Sequence, residues 1–167
     1  MDDWTIPIKE RLVKKGFKPV TNWNNKEDSL DTDLPKKYGI YKTTNWGREY
    51  NISQWCKENE NQTGNNPELT KKVEALCFET MASQLKGQGK RILLEQEKTS
   101  WKKNWEKFKA RRETANYAYW SFSSNLLKSE NAPDDFIRRC RDNSQKPYTD
   151  ENKGLLNEIE LFCTNSP

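Results

Sequence analysis

One ten-residue segment ending in cysteine occurs twice in the chain, and this recurrence limits the fold more than any other feature. The segment ELTKKVEALC occupies residues 68–77, and GLLNEIELFC occupies residues 154–163. Leucine, glutamate and cysteine coincide in the two segments, and apolar residues recur in both at the helical spacing i, i+4, i+7. Each segment therefore predicts an amphipathic helix that ends in a cysteine.

The recurrence extends toward the N-terminus of each segment. Another cysteine precedes each closing cysteine, 21 residues before it in the first case and 23 in the second. Farther upstream, Leu12 and Trp23 are 11 residues apart, as are Leu94 and Trp105. An internal duplication with small loop insertions explains these matched positions.

The predicted fold is mainly α, with two related helical subdomains, residues 1–80 (the first unit) and 81–167 (the second unit). The boundary is expected near ETMASQLKGQGK, where glycines and small polar residues interrupt the helical pattern. The segment KKYGIYKTT is the only one that resembles a strand. Each unit is expected to contain one disulfide.

The cysteines are the predicted structural residues: Cys56 pairs with Cys77 and Cys140 pairs with Cys163. Each loop of about 20 residues would stabilise the fold by roughly 3 kcal/mol. Buried free thiols are the main alternative. Because the chain has no histidine, a zinc site would need all four cysteines, and their spacing matches no zinc ribbon or finger. No metal or other cofactor is predicted.

Composition makes such crosslinks important. Only 29 of the 167 residues are Leu, Ile, Val or Phe, whereas 19 are aromatic, and the net charge is +4. Large aromatic side chains can bury much apolar area per residue, so a folded chain with a thin aliphatic core is expected.

Disulfides persist outside the reducing cytosol, so the protein is expected to be extracellular or at the cell surface. The N-terminal residues MDDWTIPIKE show no signal peptide, and no long apolar segment predicts a transmembrane helix. The expectation is an ectodomain without its leader, and the alternative is a cytoplasmic protein with free thiols.

Positive charge is concentrated in residues 86–112, which contain ten Lys or Arg residues and three Glu residues. The candidate polyanion-binding residues are Lys102, Lys103, Lys107 and Arg111. Trp101, Trp105 and Phe108 lie on one helical stripe between them and are expected to face inward. A solvated helix face is the simpler interpretation, and nucleic acid is the alternative ligand.

No catalytic residues are predicted. Without histidine the commonest general base is missing, and nothing in the sequence marks a base beside a cysteine nucleophile. Asp134 and Asp135 are interpreted as acidic residues at a helix start. We therefore expect a protein that is not an enzyme.

The segments WKKNWEKF, APDDFIRRCRDN and LLNEIELFCT follow one another in an order that resembles the paralogous families of uncharacterised proteins in haemotropic mycoplasmas. The similarity covers about residues 90–165, and the first unit fits more loosely through Trp23, Cys56 and Cys77. The matching positions in the second unit are Trp101, Trp105, Pro133, Phe136, Cys140, Leu156, Ile159, Cys163 and Thr164.

This resemblance implies display at a bacterial surface that faces the host, with sequence diversity serving antigenic variation or attachment. It implies neither an enzyme activity nor a ligand. The predicted function is thus a non-enzymatic surface or secreted protein whose partner is an unknown host surface component or immune molecule. The alternative is an intracellular helical protein that binds nucleic acid or another polyanion through a basic face, residues 86–112.

Overall fold

The computed structural model describes residues 3–31, 33–40, 42–44, 47–49 and 51–165, with the backbone alone for 42–44 and 47–49. The fold is mainly helical, as predicted. Across these ranges the elements are α1 (Ile8–Lys14), α2 (Trp23–Ser29), α3 (Asp33–Lys37), β1 (Lys42–Thr44), β2 (Gly47–Glu49), α4 (Ile52–Asn59), α5 (Pro67–Cys77), α6 (Met81–Gly87), α7 (Lys98–Arg111), α8 (Ser124–Leu127), α9 (Asp134–Ser144) and α10 (Lys153–Cys163).

The two strands form a short antiparallel hairpin, in which Lys42 pairs with Glu49 and Thr44 pairs with Gly47. In the KKYGIYKTT segment, Lys42–Thr44 form β1, whereas the first two lysines belong to α3. Gly39 follows that helix with φ +69°, a conformation that favours glycine.

Short polar side chains start the helices on each side of the predicted boundary. Asn66 accepts a hydrogen bond from the Leu69 amide at the start of α5, and Pro67 is the first helical residue. Thr80 and Ser83 form a capping box at the start of α6. Residues 81–87 of the segment interpreted as a boundary are therefore helical, and Gly89, with φ +76°, follows the end of that helix.

The buried apolar side chains form two clusters. The first, here called the first core, lies where α1 and α4 pack on α5. Its buried members are mainly aliphatic: Ile8, Leu12, Leu30, Ile40, Ile52, Cys56, Val73, Leu76, Cys77 and Phe78.

The second core lies where α6, α7 and α9 pack on α10, and it is rich in aromatic rings. The ring of Phe108 lies 5.6 Å from Trp105, 5.3 Å from Phe122, 5.7 Å from Phe136 and 5.3 Å from Phe162, measured between centroids. These aromatics supply the apolar area that the chain lacks in aliphatic residues.

Helices α1 and α6 take matching positions beside the two cores. The amide of Ile8 donates to the Gln62 carbonyl after α4, and the amide of Met81 donates to the Lys146 carbonyl after α9, both at 3.0 Å. Each helix is followed by a glycine with positive φ, Gly16 in one case. The two halves therefore place their first helix by the same backbone contact.

The structure overturns one of the residue matches between the two units that the sequence suggests. Leu12 is 1% exposed in α1, but Leu94 is 49% exposed and lies outside any helix. The matching of Leu12 with Leu94 is wrong, and Leu85, fully buried in α6, takes the place beside the second core.

The two cores are joined by residues 78–80, which run extended between them. The Glu79 amide donates to the Lys18 carbonyl at 2.7 Å, and the Glu79 carbonyl accepts from the Tyr148 amide at 2.9 Å. Helix α2 of the first unit packs on α6 of the second. The units thus share a contact as well as a linker.

Candidate functional site

Two disulfides hold the helix pairs that face the cores. Cys56–Cys77 joins α4 to α5, and Cys140–Cys163 joins α9 to α10. The Cα atoms are 5.6 Å apart in both bonds, and no cysteine is free. The predicted pairing is therefore confirmed.

Both disulfides are buried. Each of the four cysteines is at most 3% exposed, and each belongs to one of the two cores. Buried disulfides of this kind are inaccessible to dissolved thiols until the core opens. Their placement is that of structural crosslinks, and it gives no open thiol for chemistry.

The predicted polyanion-binding residues lie along α7. Lys102, Lys103 and Arg111 are exposed, whereas Lys107 is half-buried and its ammonium donates to the Leu161 carbonyl at 3.4 Å. Burial, together with the positive charges of Lys103 and Arg111, lowers the pKa of Lys107 below its ordinary value. Anion binding by these four residues remains a prediction, and Lys107 also has a place in the packing of α7 on α10.

The aromatic stripe of α7 faces inward, as expected. Trp101, Trp105 and Phe108 are buried in the second core. The indole of Trp101 donates to the Leu94 carbonyl and that of Trp105 to the Ser129 carbonyl, both at 2.9 Å. These rings are therefore not available to stack on nucleic-acid bases.

Sequence reasoning missed a buried lysine in α2. Lys26 is fully buried, and its ammonium donates to the Ala75 carbonyl at 2.8 Å, near the end of α5. Burial lowers the pKa of Lys26 to about 7, although the negative charge of Glu79 opposes that shift. The signal in the sequence was its spacing of three residues from Trp23 and four from Leu30, on one helical face.

The first unit also contains an open groove of about 410 Å³ between α1 and α5, here called the α1–α5 groove. Its outer rim is Trp4, which is 41% exposed. The groove is lined by apolar and charged side chains together: Trp4, Ile8, Arg11, Leu12, Lys15, Asn65, Pro67, Thr70, Lys71 and Glu74. The sequence carries no motif for this site, because its residues come from two stretches far apart in the chain, 4–15 and 65–74.

Among the residues that the structure describes, no group of three or more Cys, Asp and Glu side chains could hold a metal ion. None of the helices within the described ranges is both long and apolar enough to cross a lipid bilayer.

The chain matches no protein-family model, no curated protein and no solved structure. The resemblance to the mycoplasma families therefore remains a prediction based on residue order.

Proposed function

We propose that this is a non-enzymatic surface or secreted protein that acts in host contact, by attachment or as a variable antigen. The observation that carries the proposal is that all four cysteines form disulfides. Such bonds persist in oxidising compartments and are rare in the cytosol. A surface or secreted location is the one in which this chain would keep its crosslinks.

The stabilisation that the two disulfides provide supports the same location. Each closes a loop of 21 or 23 residues, for which the chain-entropy model gives about 3 kcal/mol. Two such contributions are comparable with the whole net stability of a small domain, about 5–15 kcal/mol. In a reducing compartment the chain would lose much of what keeps it folded.

We also propose that the two units descend from one ancestral unit by duplication. Three features support this descent. They are the two disulfides with the same Cα–Cα distance, the backbone contact that α1 and α6 share, and the recurring ten-residue segment.

Labelling of intact cells of the source organism tests the location. A membrane-impermeant amine reagent should label the protein before lysis, and thiol titration of the denatured, unreduced protein should give no free thiols. Labelling only after lysis, with four titratable thiols, would show an intracellular protein and end the proposal.

Binding of nucleic acid is the second candidate function, favoured by the exposure of Lys102, Lys103 and Arg111 on α7. If it is correct, affinity for a DNA duplex should fall steeply as salt rises. Neutralising these residues together with Lys107 should abolish it. Salt-independent or absent binding would leave these side chains as a solvated helix face.

A further inference from the structure

We propose that the α1–α5 groove binds a small acidic saccharide. In this arrangement Arg11 and Lys71 contact the carboxylate of the sugar, Glu74 accepts hydrogen bonds from its hydroxyls, and Trp4 covers its apolar face. The volume of about 410 Å³ lies in the range of small-molecule sites, about 300–1,000 Å³.

The aromatic wall of the groove is anchored through its backbone and packs on Arg11. The Trp4 carbonyl accepts a hydrogen bond from the Gly64 amide at 2.8 Å, and the indole lies 4.9 Å from the Arg11 guanidinium carbon. A flat ring that remains 41% exposed offers a surface on which the C–H face of a sugar can pack.

Arg11 is the buried cation of the site. Its side chain is 7% exposed, Nε donates to the Ile6 carbonyl and Nη2 to the Gly64 carbonyl, each at 3.0 Å. Its third nitrogen, Nη1, has no hydrogen-bond partner among the described residues. A guanidinium held rigidly by two carbonyls can direct this remaining donor at a carboxylate without losing further side-chain entropy.

The carboxylate of Glu74 favours a ligand with hydroxyl groups over an anion that is otherwise apolar. It is half-buried on α5 and forms no hydrogen bond or ion pair with the residues that the structure describes. Burial raises the pKa of Glu74, while the positive charges of Lys15 and Lys71 oppose that shift. An apolar ligand would leave this carboxylate desolvated without a donor, whereas sugar hydroxyls supply donors.

In the second unit, the glutamate at the equivalent position has an ion-pair partner within the protein. Glu160 holds the position of Glu74 in the recurring segment, and it forms an ion pair with Lys90. In the first unit two lining cations, Arg11 and Lys71, face the one lining carboxylate, Glu74, without counting Lys15. The excess positive charge favours a ligand with net negative charge over a neutral sugar or a zwitterion.

Titration of the oxidised full chain, followed by ¹H–¹⁵N NMR, tests the inference with glucuronate and N-acetylneuraminate as probes. Either acid should shift the Trp4 indole signal and the amide signals of residues 64–66 and 68–74. It should also bind at least about tenfold more tightly than glucose or glycine. Absence of binding by both acids, or equal binding of glucose or glycine, would overturn it.

Matched variants separate recognition from general charge. Lys71→Glu should weaken binding about tenfold or more. Lys102→Glu, the same charge change on an exposed lysine of α7, should leave binding unchanged. Trp4→Ala should abolish binding while Tyr117→Ala, at another exposed aromatic, should not. Equal losses in each pair, or shifts that map to α7, would contradict the site.

This inference goes beyond the proposed host-contact role and does not depend on it. The titration uses purified protein, whereas the location test uses cells, so each can fail without the other.

Discussion

The two cores surround disulfides of the same Cα span with different side chains. Among the buried members of the first core that the structure describes, only Phe78 is aromatic. The second core brings together six buried rings: Trp101, Trp105, Phe108, Trp120, Phe136 and Phe162. The crosslink therefore specifies how the last two helices of each unit meet, while the volume around it can be filled in more than one way.

The first helices of the two units differ in a related way. Helix α6 lies between the cores under α2, and its Ala82 and Ser83 are buried. Among the described residues, no helix packs on α1 as α2 packs on α6. Glu10 and Val13 of α1 are exposed. The place of each helix in the fold, more than the sequence pattern that the two units share, determines which of its residues are buried.

Removal of the central ring of the second core should have the largest effect. Phe108→Ala is expected to lower the free energy of unfolding by about 4 kcal/mol, because it opens a cavity among four rings. Leu76→Ala in the first core should cost less, since fewer atoms are lost. Urea denaturation of both oxidised variants measures the difference, and an equal or larger loss for Leu76→Ala would contradict the contrast between the cores.

Deletion of each disulfide should have the next largest effect. Cys56→Ala with Cys77→Ala, and separately Cys140→Ala with Cys163→Ala, should each lower the free energy of unfolding by about 3 kcal/mol. The loops are nearly equal in length, so chain entropy alone predicts equal losses. Chemical denaturation of the two double variants measures both losses.

A clear inequality between them would show that one core compensates better for its missing crosslink. Losses under about 1 kcal/mol in both would refute the view that the thin cores depend on their disulfides.

These features differ in how far the sequence predicts them. The disulfides follow from matched cysteine positions, and the inward rings of α7 follow from helical spacing, because both depend on residues close in sequence. The packing of α2 on α6, which buries Lys26, joins residues that are far apart. The α1–α5 groove likewise depends on the hydrogen bond from the Gly64 amide, in the turn before α5, to the Trp4 carbonyl, a contact that no local pattern encodes.

In each unit a lysine from another helix donates to a carbonyl near the C-terminal end of α5 or α10. Lys26 donates to Ala75, two residues before Cys77, and Lys107 donates to Leu161, two residues before Cys163. Both place a positive charge near a helix C-terminus, where it is favourable. They differ in burial, since Lys26 is enclosed and Lys107 is half-buried.

This difference predicts a pH dependence for the first unit. The pKa of Lys26 is about 7 in the folded chain and near its ordinary 10.5 when unfolded. Between these values the unfolded chain binds one more proton, so stability should rise with pH above about 7. Lys26→Met should remove up to about 1.4 kcal/mol per pH unit of that slope.

Urea denaturation between about pH 7 and about pH 9 measures the slope, with Lys103→Met as the exposed control. An unchanged slope in Lys26→Met would show that the buried amine does not titrate in this range.

The smallest expected effect concerns α7 itself. Lys107→Met should lower the free energy of unfolding by about 1 kcal/mol, because the Leu161 carbonyl loses its charged donor. Lys103→Met, an exposed neighbour on the same helix, should change it by less than about 0.5 kcal/mol. If both variants were neutral, the hydrogen bond from Lys107 to the Leu161 carbonyl would contribute little to stability. A measurable loss for Lys107 alone would instead show that the basic face contains one residue whose first role is to join α7 to α10.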